Sequence, residues 1–283
     1  MSYDVQVSDV MAKGRPMISE SDFKLSGSLE RIKHVIIVIS GKGGVGKSTV
    51  SSNLALSLAM RNLRTGLMDV DIHGPNIPKM FGLEDADMLV ENDKLVPVMA
   101  AHNLKVMSMA FLLPERDAPV AWRGPVKMGA IRQFIEDVAW GDLDCLVIDM
   151  PPGTGDEALS IIQLIPKADG MIIVTTPQDV ALLDSRKSIV FSATAEIPII
   201  GVVENMSGFI CPHCNERSDI FKSGGGERTA TEMGIQFLGR IPIEPGIVES
   251  GDSGVPIVAS APDSLSARAF SEITDKVIRT VMK

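Results

Sequence analysis

Apolar residues in this chain gather into short unbroken blocks, separated by longer stretches in which they recur every three or four positions. His34-Val-Ile-Ile-Val-Ile-Ser40 is the clearest block. It is β-branched almost throughout and closed by glycines, which predicts a strand buried on both faces. The same signature predicts strands at Thr65–Asp71, Leu104–Met109, Cys145–Asp149, Gly170–Thr176, Pro198–Glu204 and Phe237–Ile241. Spaced apolar positions predict helices between them: from Lys47 through Leu54, Leu58 and Met60, then Val126–Val138, Glu157–Ile165 and Val180–Ser192. Asn205–Gly226 reads as a loop followed by a short helix. The terminal segment Ser264–Met282 reads as a helix with Leu265, Ala269, Ile273, Val277 and Val281 on one face.

Unbroken apolar strands alternating with helices predict an α/β fold, a single doubly wound and mostly parallel sheet covered on both sides. No repeat, low-complexity tract or shift of composition follows residue 30, so residues 30–283 read as one domain. Residues 1–29 are polar, broken by Gly14, Pro16 and Gly27, and read as a loosely held leader.

Composition narrows the function. A formal net charge of −9 argues against a general nucleic-acid binder, which is usually basic. No apolar run approaches the roughly 20 residues that span a bilayer. Met1–Glu20 lacks the charged-then-apolar layout of a secretion signal. The expected location is therefore cytoplasmic, with no membrane or nucleic-acid partner. Aromatic residues are sparse at 4%, so the 16 methionines take up part of the core-filling role. The three cysteines make no disulfide framework, but two of them form a C-x-x-C pair suited to a metal or redox site.

The chemistry sits where predicted strands end. Gly41 to Ser48 spells G-x-x-x-x-G-K-S directly after a strand and at the opening of a helix, the context a phosphate-binding loop requires. Backbone N–H groups of Gly41, Gly43, Gly44, Val45 and Gly46 would wrap phosphates, aided by the positive end of the helix. Lys47 would bridge the β- and γ-phosphates of ATP, and the Ser48 hydroxyl would ligate Mg²⁺. Lys42 lies too early in the loop to fold back on its own nucleotide; across a two-fold interface it could reach the partner's. Asp149 suits a Walker-B acid that holds Mg²⁺ through water, with Gly153 and Gly155 lending movement to the following loop. Asp69 and Asp71 offer a carboxylate to orient or deprotonate the attacking water, and Asp71 is the expected catalytic one.

Cys211-Pro-His-Cys214 brings two thiols, and a two-fold dimer would bring four to one axis. Four thiolates suit an iron–sulfur cluster or tetrahedral zinc equally. A dithiol oxidant would open an apolar helix, whereas Asn-Glu-Arg-Ser-Asp follows here. Cys145, inside a buried strand, reads as an inert packed thiol, and His213 as a solvated loop histidine.

Taken in order, K-G-G-V-G-K-S-T, D-V-D-I-H-G-P-N, I-D-M-P-P-G-T-G-D, E-N-M-S-G-F and C-P-H-C resemble the Mrp/ApbC-type iron–sulfur cluster carriers. These are a branch of the deviant-Walker-A ATPases that includes MinD, ParA and the nitrogenase iron protein. The likeness runs from about Val35 to Pro256. It implies a homodimer with ATP sandwiched at the interface, Lys42 as the signature lysine, Thr49 on the α-phosphate and Asn205 on adenine. It also implies that Cys211 and Cys214 hold a bridging iron–sulfur cluster, of 4Fe–4S type, with zinc as the alternative. Slow ATP hydrolysis would be coupled to cluster transfer, with scaffold proteins and apo iron–sulfur proteins as partners. Trp122-Arg123-Gly124-Pro125 also recurs in that group; Pro125 suits a helix entry, and Arg123 could touch the partner subunit. Neither the cysteine-rich N-terminal cluster site nor the appended N-terminal domain of some bacterial members occurs in this sequence.

Two other functions compete. A MinD/ParA-like positioning ATPase with a structural zinc would need a membrane or DNA surface. The polar face of the terminal helix mixes Arg268, Glu272, Asp275, Lys276 and Arg279, which suits docking better than a basic anchor. A reductase like the nitrogenase iron protein would need cluster cysteines far apart in sequence, and no such second pair occurs.

Overall fold

The computed structural model describes residues 29–112, 124–165, 167–211, 213–214 and 216–282. The leader through residue 28, Trp122 and Arg123 lie outside the described residues. The chain opens with β1 (Ile32–Ser40), α1 (Lys47–Met60), β2 (Thr65–Asp69) and the single turn α2 (Ile77–Met80). Four short strands follow: β3 (Leu89–Glu91), β4 (Lys94–Val96), β5 (Val98–Ala101) and β6 (Leu104–Ser108). Then come α3 (Gly124–Asp137), β7 (Leu143–Asp149), α4 (Asp156–Gln163), β8 (Gly170–Thr175), α5 (Asp179–Thr194) and β9 (Ile199–Glu204). The last part holds β10 (Phe209–Ile210), β11 (Arg217–Ser218), α6 (Gly225–Glu232), β12 (Phe237–Arg240), α7 (Pro245–Asp252), α8 (Ile257–Ser260) and α9 (Leu265–Val281).

Eight strands form one sheet in the order β12-β9-β8-β1-β7-β2-β6-β5. Every neighbouring pair is parallel except β5 on β6, at the edge. The expected doubly wound sheet is thus observed, with an antiparallel edge strand added. Successive residues of a strand face opposite sides, so β1 feeds two cores. Ile37 and Ile39 pack with Met68, Phe134 and Trp140 on one face. Ile36 and Val38 pack with Leu54, Leu58 and Phe270 on the other. None of the helices among the described residues is long and apolar enough to cross a membrane.

Three predicted elements shift. The strand expected at Thr65–Asp71 stops at Asp69, where the backbone turns and the Asp71 N–H donates to Asp69 Oδ1 at 3.1 Å. The loop expected at Asn205–Gly226 contains the small antiparallel hairpin β10–β11. In α9 the buried row is Ala267, Phe270, Ile273, Thr274 and Val277, whereas Leu265 is 47% exposed. The Ser264 hydroxyl accepts from the Ala267 N–H at 3.1 Å and caps the helix, with Leu265 facing outward in the first turn.

Candidate functional site

The loop from Gly41 to Gly46 joins the central strand β1 to the N-terminus of α1, so its N–H groups lie at the carboxyl edge of the sheet where ligands of open α/β folds bind. Gly46 has φ +82°, in the left-handed region, and a Cβ there would lie 2.1 Å from Asn205 Nδ2. Both observations require glycine. Gly41 is explained differently: a Cβ would meet the Asp184 carbonyl oxygen of α5 at 2.4 Å, so it lets a helix back the loop. An open groove of about 490 Å³ runs past the loop, lined among others by Lys47, Ser48, Thr49, Asp71 and His73. Lys42 is half-buried, does not line this groove, and has no salt bridge among the described residues.

A compact charge centre lies under the groove. Lys47 Nζ is 2.7 Å from Asp149 Oδ2, and both groups are buried. Ser48 Oγ donates to the same oxygen at 2.6 Å, and Ser51 Oγ donates to Asp149 Oδ1 at 2.6 Å. The groups expected to meet phosphate and Mg²⁺ are therefore assembled, and they hydrogen-bond one another. Asp69 stands directly across from Asp149 in the β2–β7 register. Its Oδ2 accepts from Ser108 Oγ at 2.8 Å. Burial, and next the neighbouring Asp149 charge, push the Asp69 carboxyl up to about 8, against the opposing pull of Lys47. Sequence reading offered both aspartates and expected Asp71 to be the catalytic one; the structure makes Asp69 a buried acid and puts Asp71 on the groove. Asp71 is the latter, 7% exposed, with Oδ1 accepting from the N–H groups of His73 at 3.1 Å and Gly74 at 3.2 Å.

Sequence reading also passed over Lys127 of α3, whose Nζ lies 2.6 Å from His73 Nε2 and pairs with Glu157 of α4. No local spacing could have revealed this cluster, because its members come from three separate segments.

A second groove of about 360 Å³ continues from the first, sharing Gly46, Thr49, Asn76, Met80 and Met206, and adding Asn205, Pro242 and Ile243. Asn205 Nδ2 donates to the Val45 carbonyl at 2.9 Å, which closes the phosphate loop against the end of β9. Together the two grooves offer a polar end rich in N–H groups and a more apolar end bounded by Met206 and Ile247.

Beyond Asn205 the chain enters the cysteine hairpin. Ile210 pairs with Arg217, and the Cys211 N–H donates to the Glu216 carbonyl at 3.0 Å. Cys211 is half-buried and Cys214 exposed. The backbone N–H of Cys214, then that of His213, hold the Cys211 thiol below the ordinary cysteine value, which favours the metal-binding thiolate. His213 is exposed, as expected. Among the described residues no group of three or more His, Cys, Asp or Glu side chains converges to hold a metal. One chain thus brings two thiols, half the set an iron–sulfur cubane or a four-thiolate zinc requires. Ile210, Ile220 and Phe221 expose apolar surface beside them. Cys145 is fully buried, and burial pushes its thiol up, in keeping with an inert role.

Comparison with known proteins bears on the same residues. A family model described as ParA, NUBPL iron-transfer P-loop NTPase, matches residues 31–278. An iron–sulfur cluster carrier protein of Methanocaldococcus jannaschii is 48% identical over 94% of this chain and 91% of its own length. A cytosolic Fe–S cluster assembly factor, the Nubp2 homolog of Aedes aegypti, is 48% identical over 88% of this chain and 98% of its own. Among solved structures, a nucleotide-binding protein of Archaeoglobus fulgidus in complex with ADP is 38% identical. It superposes with a TM-score of 0.74 over 84% of this chain and 92% of that one.

Proposed function

The chain belongs to the NUBPL-type iron-transfer P-loop NTPases of the ParA family, and we propose that it is an ATP-hydrolysing iron–sulfur cluster carrier. It acts in the cytoplasm as a homodimer, holds a 4Fe–4S cluster as cargo between two Cys211–Cys214 pairs, and hands it to apo iron–sulfur proteins. One observation carries the reading: β9 ends at Glu204, the next residue closes the nucleotide groove, and six residues on from Asn205 the chain presents Cys211. Nucleotide site and thiol site are thus two ends of one short segment.

In this reading the triphosphate occupies the groove along Gly43–Thr49, and the base lies in the continuation beside Asn205 and Met206. Lys47 swings from Asp149 to the β- and γ-phosphates. The Ser48 hydroxyl and, through water, Asp149 are the groups that would hold Mg²⁺. Both are the hard oxygen donors that such an ion takes, and their mutual 2.6 Å hydrogen bond would open to admit it. That ion would neutralise charge on the phosphates. Asp71 orients the attacking water and takes its proton as the oxygen bonds to the γ-phosphorus and the bond to the β-bridging oxygen breaks. The N–H groups of His73 and Gly74 fix one Asp71 oxygen, which leaves Oδ2 for that water. Lys42, outside its own groove, serves the partner's nucleotide.

The decisive test is anaerobic reconstitution with iron and sulfide, followed by iron and sulfide counts per dimer in the wild type and in Cys211→Ala. Near-equal iron and sulfide in the wild type and none in the variant are expected. Equal loading of both proteins, or zinc without sulfide, overturns the proposal.

A further inference from the structure

Glu204 is fully buried at the end of β9 and lines neither groove. A buried carboxylate is tolerated only where donors meet its oxygens. Here they converge from both sides of the cysteine segment. Oε1 accepts from Ser207 Oγ at 2.5 Å and from the Gly224 N–H at 2.9 Å. Oε2 accepts from the Gly226 N–H at 2.5 Å. Arg240 Nε stands 3.5 Å from Oε1. Ser207 lies on the way out towards Cys211, whereas Gly224 and Gly226 lie where the chain has returned and enters α6. A single side chain therefore clasps both feet of the hairpin. Ser207 Oγ and Ser223 Oγ, 3.1 Å apart, draw the feet together a second time.

The clasp is continuous with the nucleotide groove. Asn205, the next residue, holds the Val45 carbonyl of the phosphate loop. Met206 follows with φ +55°, a left-handed conformation unusual for a residue with a Cβ, and lines both grooves. This sharp turn lets Asn205 reach forward to the loop while Ser207 reaches back to Glu204. The far wall is tied in as well: the Ile243 N–H donates to the Gly208 carbonyl at 2.7 Å, and the Ser207 N–H to the Ile241 carbonyl at 2.9 Å.

We propose that Glu204 is a positioning residue that carries the state of the nucleotide groove into the cysteine hairpin. The proposal rests on the reading of the two sites given above. A nucleotide seated against Asn205 and Met206 moves the strained turn, Ser207 moves with it, and Glu204 passes that displacement to Gly224 and Gly226. Both feet of the hairpin then shift together, and the exposure of Cys211 and Cys214 changes. A purely structural Glu204 would stabilise the hairpin equally in both nucleotide states.

The test uses the full, reduced, cluster-free chain. Iodoacetamide modification rates of Cys211 and Cys214 are read by mass spectrometry with and without Mg²⁺ and a non-hydrolysable ATP analogue. Buried Cys145 serves as the control. For the wild type we expect the rates in the two states to differ on the order of five-fold or more. In Glu204→Gln the ratio should fall to about one while analogue affinity stays within about two-fold. A Glu204→Gln chain that keeps the wild-type ratio, or a wild type whose ratio is already one, overturns the proposal. Should Glu204→Gln not fold, Ser207→Ala removes the hydroxyl's contacts with Glu204 and Ser223 and leaves the bonds of Glu204 to the start of α6; an unchanged ratio there overturns it too. Because no iron is present, a wild-type ratio that persists in a chain unable to take a cluster would sink the carrier reading alone.

Discussion

Asp69→Asn is the substitution whose effect the structure defines most fully. Asp69 is completely buried across from Asp149, and its carboxyl is raised from an ordinary value near 3.8 to about 8. Between those values the folded chain binds a proton that the unfolded chain has released. Stability must therefore fall as pH rises through this window, by about 1.4 kcal/mol per unit, and level off above about 8. The contribution is fully present below the unfolded value and lost by the folded one. From pH 5.5 to 8 the loss is about 3 kcal/mol. Asn has nearly the same volume; its Oδ1 can accept from the Asp71 N–H while its Nδ2 donates to the Ser108 hydroxyl, and it does not titrate. Chemical denaturation midpoints of both proteins, at the two pH values in nucleotide-free and Mg²⁺-free buffer, isolate the effect, because every other titrating group is common to them. The wild type should lose about 3 kcal/mol more than Asp69→Asn over that interval. If the two proteins lose the same amount, Asp69 is not held protonated by burial and the account of the charge centre is wrong.

Other expectations concern the loop and the groove. Gly46→Ala places a methyl 2.1 Å from Asn205 Nδ2 at φ +82°, so the chain should fold yet lose on the order of ten-fold or more in nucleotide affinity, read by titration with a fluorescent ATP analogue. Asp71→Asn and Lys42→Ala should both keep that affinity. The first should lower ATP turnover about 10²-fold at any protein concentration, by loss of the water-orienting carboxylate. The second should abolish only the activity that rises with dimer formation; wild-type turnover and dimerisation in Lys42→Ala would remove the cross-interface role.

Legibility in the sequence followed burial. The five strands β1, β2, β7, β8 and β9 announce themselves because both faces are covered, so apolar residues run without a break. The phosphate loop was equally plain, because glycine and lysine spacing there is set by the backbone geometry phosphates demand. Three-residue strands such as β3 and β4 left no such trace, since Leu89–Glu91 faces solvent throughout and Lys94–Val96 is only half-buried. The helix α7 begins at Pro245 with little of itself buried, so its apolar periodicity is faint. That Asp69 is a buried acid facing Asp149 was hidden for another reason: it depends on the register with β7, a non-local property. Glu204 was hidden most completely, because its donors lie up to 22 positions away and look like ordinary serine and glycine loop residues.

The buried contact between Lys47 and Asp149 bears on how the site would take an anion. Asp149 offers the lysine the kind of anionic oxygen that a phosphate offers, so a phosphate that takes Lys47 must compete with a buried carboxylate. Binding is then an exchange of anions. Lys47 cannot leave without taking the paired cation from a fully buried carboxylate and leaving it the hydroxyls of Ser48 and Ser51, a loss that breaking such pairs sets at about 3–5 kcal/mol. In the proposed reading, free ATP would supply a new partner only for the lysine, whereas ATP carrying a divalent ion would supply one for each half of the divorced pair. The metal would then be needed at the moment of binding, before any phosphate bond is touched.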